Sequence, residues 1–199
     1  MKKETMLNKI AQKGYDVSYS ANLNFATYDI LAKYPSMVSF SSIAIGILGL
    51  VVPAFQLTGV SVCILIIGIL SLYVENFTNN KEDYAKRGET HTRLLYRLKN
   101  LYYKVKDSEN DNNDYIDDEK EYRAIETEFN SSTCAKQILF ANWFAHYKLF
   151  MEKDYNWMDE QLHFSCWKDK IPGTAKIVLF IILFCLVVLL FICGNKLVG

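Results

Sequence analysis

Charge is missing from long stretches of this sequence. Between Lys33 and Glu75 no charged side chain occurs over 41 consecutive residues. Such a run is too long and too apolar for the core helix of a small soluble domain. A bilayer core is about 30 Å thick, and about 20 helical residues cross it. The run therefore divides into two spanning helices, about 37–55 and 59–75, with a tight QLTG turn at 56–59. A third run, residues 177–193, is equally free of charge and predicts a third span over 174–195. No Asp, Glu, Lys, Arg or His lies inside residues 34–74 or 177–193, which argues against proton-coupled transporters, ion pumps and voltage sensors.

Other absences narrow the function. The net charge is zero, so nothing points to a basic surface for nucleic acid. No short apolar core with a small-residue cleavage site marks a signal peptide, and the first span is expected to remain in the mature protein. The cysteines, Cys63, Cys134, Cys166, Cys185 and Cys193, are odd in number and form no disulfide or metal-ligand framework. A reducing compartment follows. No P-loop, GxSxG, HExxH or paired-carboxylate signature is present, so neither enzymatic activity nor a cofactor is expected. His163 and Cys166 make an isolated HxxC pair, too little for a zinc site. Asp107, Glu109 and Asp111 open an EF-hand-like spacing, but Asn112 stands at the glycine position and Asp118 at the final glutamate. A solvated acidic loop is the reading, and no metal is expected.

The basic residues that are present set the orientation. The N-terminal segment 1–33 carries Lys2, Lys3, Lys9, Lys13 and Lys33, and residues 75–176 carry 16 Lys and Arg. The QLTG turn carries none. By the positive-inside rule the N-terminus and the central domain, 77–173, lie in the cytoplasm and the turn lies outside. The third span then leaves a short tail outside, with Lys196 as a mild exception.

The sequence predicts an all-α membrane protein: a transmembrane helical hairpin, a cytoplasmic helical domain and a third C-terminal transmembrane helix. Residues 1–33 read as a short lead-in, helical towards its end through Leu23, Ala26, Ile30 and Tyr34, and Pro35 is expected to break it. Asn79 or Asn80 is expected to cap a helix whose stripe runs through Tyr84, Arg87, His91, Leu94, Leu98, Leu101 and Val105. Further helices are expected over about 115–129, from 131–133 to about 153, and over 155–168. Trp167, Lys168 and Lys170 read as interfacial anchors ahead of the last span. Trp143 reads as core.

The hairpin carries a pattern of its own. Ser39, Ser42, Gly46, Gly49 and Pro53 form one stripe of small residues on the first span. Ser61, Gly68, Ser71 and Glu75 follow a similar line on the second. Small residues let helix backbones approach closely. Two readings stay open: the stripes close the hairpin within one chain, or one of them faces neighbouring subunits or a water-filled path. Glu75 either marks the water boundary or contributes to a carboxylate ring.

The order of parts, with SFSSIAIGILGLV in the first span, AKRGETHTRLLYRLKNLYYKV after the second and EYRAIETEFNSS beyond, resembles the SLATT superfamily over residues 21–132. These are the two-transmembrane effector domains associated with SMODS nucleotidyltransferases and SLOG sensors. The extra helices and third span look like longer members such as those called family five. The resemblance implies a membrane effector of a bacterial anti-phage conflict system. Its hairpins would assemble as a homo-oligomeric pore, or perturb the membrane, when a partner or nucleotide signal triggers them, with abortive infection as the outcome. The implied partners are the lipid bilayer and a nucleotidyltransferase, reverse transcriptase or nucleotide sensor. The alternative is a non-catalytic membrane scaffold that docks a partner enzyme through its cytoplasmic helices.

Overall fold

A single helix, α1, runs unbroken from Lys3 to Val51 in the computed structural model of the chain. The structure describes residues 2–56, 58–108, 115–133 and 136–198. Leu57 of the turn, most of the acidic loop (109–114), Cys134 and the side chains of Cys193 and Lys196 fall outside it. After α1 come a 3-10 turn at Pro53–Gln56, α2 at Thr58–Thr78 and α3 at Lys81–Lys106. Then follow α4 at Ile116–Ser132, α5 at Ala141–Tyr147 continued by a π turn at Lys148–Glu152, α6 at Asn156–Leu162 and α7 at Gly173–Val198. No strand occurs among the described residues.

The first half of α1 is not a lead-in. Met6, Leu7, Ile10 and Val17 are buried against Leu94, Leu98, Leu101, Tyr102 and Val105 of α3, Ile125 and Phe129 of α4, and Trp157 and Met158 of α6. These residues form the core of a helical head. Each large apolar side chain buried there stabilises it by about 1.5–3 kcal/mol before entropy is counted. The second half of α1 and all of α2 leave the head as an apolar hairpin, and both are long and apolar enough to cross a membrane. At 21 residues α2 spans about 31 Å, close to the hydrocarbon thickness.

Four expectations are corrected. Pro35 does not break the helix: α1 passes straight through it. One backbone bond is lost there, but the flanks are held. Leu31 is buried with Val74 and Phe77, and the Tyr34 hydroxyl donates to the Ile67 carbonyl of α2 at 3.3 Å. A proline is tolerated where leaving the helix would expose more unpaired backbone to hydrocarbon. Asn80 stands at the cap position of α3 but makes no side-chain cap bond. The helix expected from 131–133 begins only at Ala141, after non-helical residues 136–138 and a turn at Leu139 and Phe140, where Phe140 is left-handed (φ 67°). The helix expected over 155–168 stops at Leu162, because His163 also turns left-handed (φ 49°). The α3 stripe is as expected except at one step, where buried Gly88 replaces half-buried Arg87.

Candidate functional site

The stretch from Lys136 to Trp143 ties the hairpin to the head. The Tyr84 hydroxyl of α3 donates to the Lys136 carbonyl at 2.8 Å, and the Lys136 ammonium sits 4.8 Å over the Phe77 ring of α2. The Thr27 hydroxyl of α1 lies 2.7 Å from Gln137 Oε1. The Leu139 amide donates to the Tyr73 hydroxyl of α2 at 3.2 Å, and the Trp143 indole N–H to Thr174 Oγ1 of α7 at 2.8 Å. Ile138 and Ala141 are buried among Ala26, Leu31, Val74, Phe77 and Tyr84. Lys148, on the π turn, pairs with Asp29 of α1 at 2.7 Å with both side chains largely enclosed. One short segment therefore touches α1, α2, α3 and α7.

Nothing in its composition announces this collar. It holds no glycine or proline, and its bends rest on tertiary bonds to Tyr73 and Tyr84. Sequence reasoning placed it in mid-helix for that reason. The tyrosines at the end of α2 and the start of α3 were the one available signal, since a buried phenol needs a partner.

The hairpin residues fall on different faces. On α1, Tyr34, Val38, Ala44 and Ile45 are half-buried, and Tyr34 bonds to α2. Ser39, Ser42 and Gly46 are exposed, Pro53 is exposed at the bend, and Gly49 is half-buried. A methyl group added at Gly46, Gly49 or Gly68 would meet no other atom within 4 Å. On α2, Ser61 and Gly68 are exposed, while Ser71 is half-buried with its hydroxyl donating back to the Ile67 carbonyl at 2.9 Å. Glu75 is exposed at the head end of α2. Most of the small-residue positions thus lie on open surface within one chain.

Of the residues read as anchors, Trp167 is 66% exposed and Lys168 is exposed. Lys170 is engaged instead with Tyr155, donating to its hydroxyl at 2.8 Å and lying 4.9 Å over its ring. Lys176 covers the Trp167 ring at 5.7 Å. Trp143 is half-buried through its bond to Thr174.

Inside the head two histidines are held neutral. His91 is fully buried, with Nε2 2.9 Å from Ser132 Oγ and Nδ1 without a well-formed partner. Burial, helped by Arg87, lowers its pKa, and the nearby Ser20 carbonyl opposes this weakly. His146 also has an orphaned Nδ1, and burial lowers its pKa. Burial and the charges of Glu126 and Asp16 push the Tyr122 phenol up to about 12. His91 thus meets the Ser132 hydroxyl, and Tyr122 the Glu126 carboxylate. Among the described residues no three His, Cys, Asp or Glu side chains gather as a metal site.

A family model described as SMODS and SLOG-associating 2TM effector domain 6 matches residues 1–179. It reaches from the N-terminal turn of α1 into α7, beyond the 21–132 over which the resemblance was drawn, and it is the sixth of these domains where the likeness had pointed to the fifth. No curated protein and no solved structure matches the chain.

Proposed function

The chain belongs to the SMODS and SLOG-associating two-transmembrane effector domains, and from that we propose that it is a membrane effector whose hairpins assemble with those of other copies into a pore or a membrane-perturbing cluster. The observation that supports the reading is the exposure of Ser39, Ser42 and Gly46 within one chain. In hydrocarbon, apolar bulk gives helices no reason to associate, whereas small residues allow the close approach that dispersion requires. A face of this kind left uncovered within one chain suits a second copy of the hairpin.

The head and the N-terminus lie in the cytoplasm in this reading, the bend at 52–58 lies outside, and α7 forms a third span with its tail outside. The head receives the trigger, from a partner such as a nucleotidyltransferase, reverse transcriptase or nucleotide sensor, and the outcome is abortive infection. The trigger acts by favouring one arrangement of hairpins over another.

The test replaces Gly46 and Gly49 together with leucine. Wild-type protein in vesicles is expected to release an entrapped dye on activation. The double variant should keep its helical circular dichroism and lose that release. If neither protein ever releases dye while both capture the same partner enzyme, the chain is a scaffold and the effector reading falls.

A further inference from the structure

Where the head meets the hairpin, α1 and α5 leave an open groove of about 240 Å³. Asp29, Ile30, Lys33, Tyr34 and Met37 of α1 line it together with Phe144 of α5. From Asp29 to Met37 it follows about 12 Å of one helix. Its surface is almost wholly apolar. The Tyr34 hydroxyl is already spent on the Ile67 carbonyl at 3.3 Å, so its ring serves as wall. Phe144 is held by the Lys148 ammonium, 4.6 Å from its ring centroid. Met37, at the hairpin end, is exposed.

The head end of the groove carries unbalanced charge. The Asp29 carboxylate is 2.7 Å from Lys148 but 3.9 Å from Lys33. Two ammonium groups thus share one carboxylate, and the nearer one claims it. Lys33 stands exposed at the rim with its charge mostly uncompensated. Its position in the chain adds a second constraint. Lys33 is the last charged residue before the charge-free run 34–74, so the groove begins at a cation and ends on surface without charge. With α1 crossing a bilayer, the first end lies among headgroups and the second in hydrocarbon.

We propose that this groove holds one anionic glycerophospholipid of the adjoining leaflet, with its phosphate on the Lys33 ammonium and the first methylenes of one acyl chain along Tyr34, Met37 and Phe144. Each part of the groove selects this class. A free phosphate leaves the apolar walls unused. An uncharged lipid leaves Lys33 unpaired. A zwitterionic lipid brings a cation of its own to a rim that already has two ammonium groups for one carboxylate. The volume exceeds the roughly 150 Å³ that takes a benzene ring, so a stretch of one chain fits.

A lipid seated here touches the head through α5 and the hairpin through α1, beside the Asp29–Lys148 pair that already joins them. It therefore strengthens the clamp between the two. The site rests on the membrane reading of the hairpin above, and on neither pore formation nor a trigger.

The experiment is native mass spectrometry of the full-length protein released from nanodiscs that hold phosphatidylglycerol and phosphatidylcholine in equal amounts. One phosphatidylglycerol per chain should be retained with about fivefold preference, the weight of one lysine at an anionic surface. Lys33→Gln alters an exposed side chain and should erase the preference. Met37→Trp adds bulk at an exposed position and should lower retention of both lipids with unchanged circular dichroism. Lys86→Gln, at an exposed lysine of α3 outside the groove, should leave retention as in wild type. The proposal is overturned if the two lipids are retained equally, or if either groove variant behaves like wild type. It also falls if Lys86→Gln erases the preference as Lys33→Gln does, which means diffuse attraction, or if soluble glycerol phosphate displaces the lipid, which means a free-phosphate site. Protein recovered in water without detergent would refute the membrane reading on which the groove rests, whereas equal retention refutes the groove alone. Selective retention without dye release from vesicles upholds the groove and counts against the effector reading.

Discussion

Gly14→Ala tests the packing of the head by the sign of its effect. Gly14 lies mid-way along the head portion of α1, where alanine should raise stability by about 1 kcal/mol on helix propensity alone. The structure predicts the reverse. A Cβ at Gly14 overlaps Cη2 of Trp157 and stands 3.0 Å from its Cζ2 and 3.2 Å from its Cζ3. The indole cannot swing clear, because it is 1% exposed and packed 5.2 Å from the Tyr102 ring. Overpacking of this kind costs about 1–3 kcal/mol. After the propensity gain the net loss is about 1 kcal/mol, or about 2–4 °C in Tm for a chain of this size. The assay is thermal unfolding in one fixed detergent, followed by far-UV circular dichroism. In a Trp157→Leu background the ring is gone and Gly14→Ala should become stabilising, a coupling of at least about 1 kcal/mol. An unchanged or raised Tm in the wild-type background would refute the contact and the placement of α6 on α1.

Further expectations follow from the same geometry. His91 and His146 have folded pKa values below the ordinary histidine value, so the unfolded chain binds more protons as pH falls. Stability is therefore full above that value of about 6.5 and declines below it; Tm should drop between pH 7.5 and 5.5, and the double variant His91→Gln, His146→Gln should flatten the slope. Asp29→Asn strands the enclosed Lys148 ammonium and should cost about 1–3 kcal/mol, whereas Asp117→Asn at the exposed pair with Lys120 should leave stability unchanged, both read by chemical unfolding. Tyr73→Phe removes the bond to the Leu139 amide, and faster hydrogen exchange at 138–141 with little change in the α3 core would register it.

How far the fold could be read depended on what each face is made of. Leu94, Leu98, Leu101 and Val105 of α3 are apolar at helical spacing, and they are the buried face. The charge-free run gave two apolar helices for the same reason, since nothing but bulk hydropathy decides them. The buried face of α1 was hidden because it includes Gly14, Ser18, Asn22, Asn24 and Thr27, small or polar side chains that satisfy themselves largely on the preceding turn. Periodicity cannot register a core built from such residues. Gly88 read as a weak point in α3, yet it is the position that lets Phe25 come close, a fact available only once both helices are in place. The small-residue positions of the hairpin were visible, but which way they point depends on how α1 and α2 meet.

Because α1 holds 49 residues in one piece, it is a rod of about 73 Å gripped at one end. A rod so held acts as a lever. Tilting the gripped half by about 5° carries the free tip, about 30 Å beyond Leu31, sideways by roughly 3 Å. Small rearrangements around Trp157 are thereby magnified at the distant bend without any intervening hinge.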